Sequence, residues 1–303
     1  HWGIYEDGGM QYYILEEKFL GTEYSIPILC TEVAILAINN NTTIYINNQP
    51  FYLNAGNTKR FPHLPIGTEI KSNNPISLLA ANYTNDHYGS TYSFQIYPIS
   101  ILGTAYFSPQ QHAFSYQSSI DSTRIYILAV NDETNVTINT ETVALNKNEY
   151  AVRPAIAEIN IISNKPIYLV YLNDIYAKDP WAGVYRHYQT AFQMLSAAID
   201  INEVLIEPTT SSSHGFPFYQ VCITSLKDNN EITLTSGESI EKITLNYCER
   251  AYYHEGDLPQ WNSFPLDIRS EEAMHVSYTF RGWWNQIAES VYGGEILGRN
   301  NSL

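Results

Sequence analysis

Basic side chains are scarce in this chain. Lys and Arg total 16 against 31 Asp and Glu, giving a formal net charge of −15 at pH 7. Nucleic-acid binders meet phosphates with clustered Lys and Arg, so no nucleic-acid partner is expected. Charged residues of both signs make up only 16% of the 303 residues. Cysteine is rarer still. Cys30, Cys222 and Cys248 are the three in the chain, too few for a disulfide framework. Cys222 and Cys248 pair if oxidised; the alternative is that all three are small buried apolar side chains. No apolar run is long enough to span a bilayer as a helix. Nor is there a Gly-rich phosphate loop, a Gly-x-Ser-x-Gly elbow or a His-Glu-x-x-His pair.

What the chain has instead is strand-forming sequence. Tyr is abundant at 25 and hydrophobic residues reach 44%, enough for a sizeable core. Tyr, Thr, Ile and Val together favour strands. One stretch organises the rest: Glu32 to Asn47, EVAILAINNNTTIYIN. Its two apolar runs around an Asn turn read as a β-hairpin. The phrase recurs at Arg124 to Asn139 and, worn, at Val221 to Thr235. Other phrases recur with it. Gly21-Thr22-Glu23-Tyr24 is echoed by Gly103-Thr104-Ala105-Tyr106, and Ser72 to Ile76 by Ser163 to Ile167. Phe94-Gln95 is echoed by Phe192-Gln193.

Self-similarity over about 90 residues predicts three copies of one unit, strung as beads or closely docked. Closely spaced turn signals favour an all-β fold of tandem antiparallel β-sandwich units, jelly-roll or Ig-like. The expected boundaries are 1-109, with an N-terminal strand in Met10 to Leu20, then 110-210 and 211-303. A surplus strand at one end and a deficit at the other would permit strand addition between copies, or completion of a unit within one molecule. The best helix signal, Gln189 to Ile199, is read as strand in part because the unit pattern requires one.

These repeated phrases resemble the IgG-Fc-binding protein N-terminal domain family. The resemblance rests on Gly21-Thr22-Glu23-Tyr24, Asn41-Thr42-Thr43, Leu53-Asn54-Ala55-Gly56, and Gly67-Thr68-Glu69-Ile70 followed by Ser72 to Ile76. It is good over 19 to 109, fair to about 210 and poor beyond. It implies a β-rich secreted or surface module of the kind found in larger mucus, adhesion or matrix proteins. Binding of immunoglobulin by this chain does not follow from it.

Candidate functional residues sit in two matching stretches read as loops. One holds Asp86 and His87; the other holds Asp174, Asp179, Trp181 and His187. Each follows the strand after the Ser-x-x-Pro-Ile turn, so both emerge at the same end of a unit, where binding loops gather. Trp181 and nearby tyrosines suit stacking on sugars or anchoring of a protein. The plain alternative is polar loops, each with one buried aromatic. Asp and Asn oxygens suit Ca2+ by type, but no EF-hand spacing is present, so no cofactor and no metal are expected. His254, Glu255 and Asp257 match no metal spacing. Ser213-His214 reads as linker rather than as nucleophile and base.

Sequons occur at Asn40, Asn41, Asn82, Asn135 and Asn300, candidates for glycosylation in an exported chain. The chain starts at His1 and is read as a processed form or fragment. Together these point to a secreted or cell-surface protein, structural or adhesive, whose partners are other extracellular proteins or copies of itself. A carbohydrate-binding protein is the alternative. A secreted glycan-processing enzyme with a carboxylate pair is the second.

Overall fold

A computed structural model describes residues 17–82, 92–108, 120–121, 124–155, 158–178, 185–193, 201–206, 218–254, 257, 265–281 and 294–295. The chain divides into two compact units, His1–Ser196 and Ala197–Leu303. Antiparallel strands dominate both.

The first segment runs β1 (Gly21–Ser25), β2 (Glu32–Ala37), β3 (Thr42–Ile46), β4 (Gln49–Leu53), β5 (Thr58–Pro62), β6 (Glu69–Asn82) and β7 (Tyr92–Ile96). The long strand β6 serves two sheets. Its first part pairs with β1 and β3, its last part with β2 and β7. β4 flanks β3, and β5 flanks β2. The crossing point is Ser72 to Ile76. There Ser72 Oγ donates to the Asn74 carbonyl at 2.6 Å, and Asn73 Oδ1 accepts the Thr43 N–H at 2.8 Å.

The expected hairpin at Glu32 to Asn47 is therefore incorrect. β2 and β3 do not pair; they lie in opposite sheets and face one core. Val33, Ile35 and Ala37 point into it from one side, Thr42 and Ile44 from the other, all fully buried. The hairpin partner of β3 is β4.

The second segment runs β8 (Ala105–Ser108), β9 (Ile120–Asp121), β10 (Arg124–Ala129), β11 (Thr134–Ile138), β12 (Glu141–Leu145), β13 (Tyr150–Pro154), β14 (Ile159–Ser163), β15 (Ile167–Lys178) and β16 (Tyr185–Gln193). Its sheets are β12-β11-β14-β8 and β13-β10-β15-β16, with β9 beside β15. Here the counterpart of β6 is broken into β14 and β15 at Asn164-Lys165-Pro166. Gln189 to Gln193 is strand, as the unit pattern requires.

Apolar runs in β10 and β15 are almost continuous because that sheet is buried on both faces. Ile125, Ile127, Leu169 and Tyr171 point into the second segment's core. Leu128, Tyr168, Val170 and Leu172 point the other way, into a core with Tyr24, Ile26, Ile28, Cys30 and Ile96. The first two segments are thus docked through shared core, not beads on a string.

Polar contacts fix the same joint. The Tyr168 hydroxyl accepts the Ser25 N–H at 3.2 Å and donates to the Tyr97 carbonyl at 2.7 Å; burial first of all drives its pKa up. Lys147 pairs with Glu69, and Asn148 Nδ2 donates to the same carboxylate at 3.3 Å. Lys147 foremost, then Asn148, holds the Glu69 carboxyl below its ordinary range against the opposing effect of burial.

The third segment runs β17 (Ile201–Ile206), β18 (Phe218–Ser225), β19 (Asn230–Ser236), β20 (Ser239–Leu245), β21 (Arg250–His254), β22 (Leu266–Arg281) and β23 (Gly294–Glu295). β22 plays the part of β6: its first part pairs with β17 and β19, its last with β18 and β23. Val204, Ile223, Leu234, Ile268 and Met274 form its core.

Two devices explain the repeated phrases. In Gly-Thr-x-Tyr the tyrosine hydroxyl is a staple. Tyr24 accepts the Gly21 N–H at 3.0 Å and donates to the Ile76 carbonyl; Tyr106 accepts from Gly103 at 3.2 Å and donates to Ile167 at 2.6 Å. Burial pushes the Tyr24 phenol up to about 12. Val204 stands at this register in the third segment and has no hydroxyl to offer. The second device is a β-turn whose third residue is left-handed: Gly56, Asn148 and Cys248, at φ 76, 67 and 64. Their N–H groups donate to Ala37, Ala129 and Ser225 at 2.9 Å each. An acceptor oxygen of Asn40, Asp132 or Asp228 holds the preceding N–H, at 3.1, 3.1 and 3.0 Å.

None of the three cysteines is joined in a disulfide, which corrects the Cys222–Cys248 pairing. Cys222 sits within β18 opposite Tyr252, whereas Cys248 lies in the turn opposite Ser225. Three residues of strand, about 10 Å, separate them, beyond the Cα spacing a disulfide tolerates. The N-terminal strand expected in Met10 to Leu20 lies mostly outside the described residues. Glu17–Phe19, at its end, is a 3-10 turn, matched by another at Ile99–Ile101 before the second Leu-Gly-Thr.

Candidate binding surface

Of the residues singled out from the sequence, Asp86, His87, Asp179 and Trp181 lie outside the described residues, as do Ser213, His214, Glu255 and Asn300. Asp174 and His187 are described, and they are not in a loop. They belong to the β15–β16 hairpin, with Asp174 opposite Gln189 and His187 opposite Tyr176. β15 and β16 stay paired through Lys178 and Tyr185, so this polar sequence is strand rather than loop. Among the sequons, Asn40, Asn41 and Asn135 are exposed and Asn82 is half-buried. Asn40 Oδ1 holds the Ala55 N–H. Among the described residues, no three His, Cys, Asp or Glu side chains gather as metal ligands.

The surface that stands out is the outward face of β4, β3, β6 and β1. Alternation decides which side chains reach it. Ile44 and Phe51 turn inward to the core; Thr43, Tyr45, Pro50 and Tyr52 turn outward. Tyr52 is 74% exposed and Tyr45 42%. Tyr52 is opposite Thr43, and Tyr45 is opposite Pro50 on one side and Lys71 on the other. Glu23 completes that row. The tyrosines are diagonal cross-strand neighbours, about 7–8 Å apart at their Cα atoms.

Half-buried aromatic rings pack beneath the platform. Phe51 and Phe61 pack with centroids 4.9 Å apart, and the Lys59 ammonium lies over them at 4.8 and 5.2 Å. Asn73 grips the start of β3 through the Thr43 N–H and the Asn41 carbonyl, the latter at 3.3 Å. The positions that correspond to Tyr45 and Tyr52 elsewhere are not aromatic: Thr137 and Ala144 in the second segment, Thr233 and Thr244 in the third. Such a face offers ring area and two hydroxyls at little entropic cost. Nothing in residue type marks this face in the sequence. Its only signal was parity: Tyr45 falls one residue after an inward Ile.

No curated protein sequence matches the chain. The profile of the family described as IgGFc binding protein matches residues 9–263. That span covers well over half of the chain, and the protein belongs to the IgGFc binding protein family.

Proposed function

We propose that this protein is an extracellular adhesive module that works by contact, holding a protein partner on the Tyr45–Tyr52 face. The observation that carries the reading is the pair of exposed tyrosines on a sheet face backed by the half-buried Phe51 and Phe61. The family's description by binding, not by a reaction, agrees with it. No helix among the described residues is long and apolar enough to cross a membrane. We read the recurring pairing scheme as three copies of one ancestral unit, a scaffold that presents surfaces, and we assign no catalytic residue.

Immunoglobulin Fc is the first probe to try, since the family is described by it. Surface plasmon resonance on immobilised Fc should detect the wild-type chain, and a Tyr45→Ser/Tyr52→Ser variant should bind about tenfold or more weakly. Equal affinity of the two, with both folded, would overturn the assignment of this face. The same tyrosines suit sugar rings, so a glycan array probed with both proteins, and with Trp181→Ala, separates a glycan partner from a protein one.

A further inference from the structure

The outward face of β11 and β12 is the second segment's counterpart of the tyrosine face, and it is furnished differently. By register, Asn135 stands where Thr43 stands, Thr137 where Tyr45, Thr142 where Pro50 and Ala144 where Tyr52. Small side chains replace the rings, and Asn135 opens the sequon Asn135-Val136-Thr137. Among the described residues this is the one sequon that lies wholly within a strand.

Strand alternation sorts its three residues. Val136 is fully buried in the core, and Asn135 and Thr137 turn outward on either side of it. Asn135 is exposed, as are Thr142 and Ala144 across the pair. The backbone beneath is pinned: the Asn135 N–H donates to Asn164 Oδ1 at 2.7 Å, and its carbonyl accepts the Asn164 N–H at 3.1 Å. The Asn135 side-chain amide has no hydrogen-bond partner among the described residues. The sequon at Asn40 is arranged otherwise. There Asn40 Oδ1 holds the Ala55 N–H, and the Thr42 hydroxyl is fully buried, donating to the Asn39 carbonyl at 2.7 Å.

We propose that Asn135 is the acceptor of an N-linked glycan that lies over Thr137, Thr142 and Ala144 and closes this face to contact. The donor is a lipid-linked oligosaccharyl pyrophosphate of the export pathway. Asn135 Nδ2 displaces the pyrophosphate at the anomeric carbon. An N–C bond forms, the C–O bond to phosphate breaks with its electron pair going to the leaving pyrophosphate, and the amide gives up one proton. Room for the first sugar comes from Ala144, whose Cβ lies about 5 Å from that of Asn135. β12 is also the edge strand of its sheet, and a bulky, solubilising sugar beside it guards an edge that otherwise invites pairing. The inference rests on the extracellular part of the proposed function and not on Tyr45 or Tyr52, so its failure leaves the tyrosine face standing, and the reverse.

The full chain, secreted from cultured mammalian cells, tests it. Peptide mass spectrometry after enzymatic glycan release in heavy-oxygen water should place the mark of an excised glycan at Asn135. Thr137→Ser should keep that glycan and Thr137→Ala should lose it, with both variants folded. A thiol introduced by Ala144→Cys should react with maleimide several times more slowly in the glycosylated chain than in Ala144→Cys/Thr137→Ala. An unmodified Asn135 in the folded, secreted chain would overturn the proposal, and equal maleimide rates would overturn the covering of the face.

Discussion

Leu128 belongs to the second segment by sequence, yet its fully buried side chain packs in the core that holds Cys30 of the first. That makes Cys30 a reporter for a mutation in its neighbour. Leu128→Ala removes buried methyl groups and leaves a cavity, at a cost of about 2–5 kcal/mol. Burial pushes the Cys30 thiol up to about 12, so alkylation at mildly alkaline pH proceeds through opened molecules. Where opening and reclosing are fast, labelling follows the open population. At tenfold per 1.4 kcal/mol, Cys30 should label roughly thirty to several thousand times faster in the variant. Peptide mass spectrometry resolves Cys30 from Cys222 and Cys248. Unchanged Cys30 labelling in a variant whose second segment is clearly loosened would refute the shared core.

Tyr106→Phe deletes the hydroxyl that bridges Gly103 and Ile167 at a fully buried site, stranding two backbone groups at a cost of about 1–3 kcal/mol. Calorimetry should show the midpoint falling by several degrees; no fall would mean those groups find other partners. Glu69 gives a pH signature. Its carboxyl titrates below the ordinary range, so its contribution is complete above that range and drains away as pH falls through the lowered value. Urea midpoints should thus decline less steeply on acidification in Lys147→Met than in wild type, and parallel curves would remove the pair from the account. A methyl group at Gly21 would lie 2.5 Å from Pro98 Cβ, whereas at Gly56 it meets open space but a φ of +76. Gly56→Ala should cost about 1 kcal/mol and Gly21→Ala more; urea titration giving the opposite order would show that the Gly21 contact relaxes cheaply.

Strands were legible from the sequence; their partners were not. Alternation in Glu32 to Ala37 and Thr42 to Ile46 says which side chains turn inward. A hairpin and an arch between two facing sheets satisfy that pattern equally well, and only long-range pairing with β6 chooses the arch. Continuous apolar runs at Ile125 to Val130 and Ile167 to Leu172 signalled burial on both faces, without saying that the first segment lay across one of them. Ser72 to Ile76 read as a turn because Asn and Pro break regular pairing; it is the point where one strand changes sheets. At the candidate surface, residue type misled. Rare Trp and His drew attention to Trp181 and His187, while Tyr45 and Tyr52 were lost among so many tyrosines. Their distinction is positional, set by strand register.

One residue type has two tasks in this protein: buried tyrosines staple the strands, and exposed ones form the proposed contact face. Native-state nitration with tetranitromethane, mapped by peptide mass spectrometry, tests this directly. Tyr52 and Tyr45 should react readily, while Tyr24, Tyr106 and Tyr168, at most 1% exposed, stay unmodified until the chain is denatured. Modification of these three at the rate of Tyr52, or protection of Tyr52 in the free chain, would contradict it.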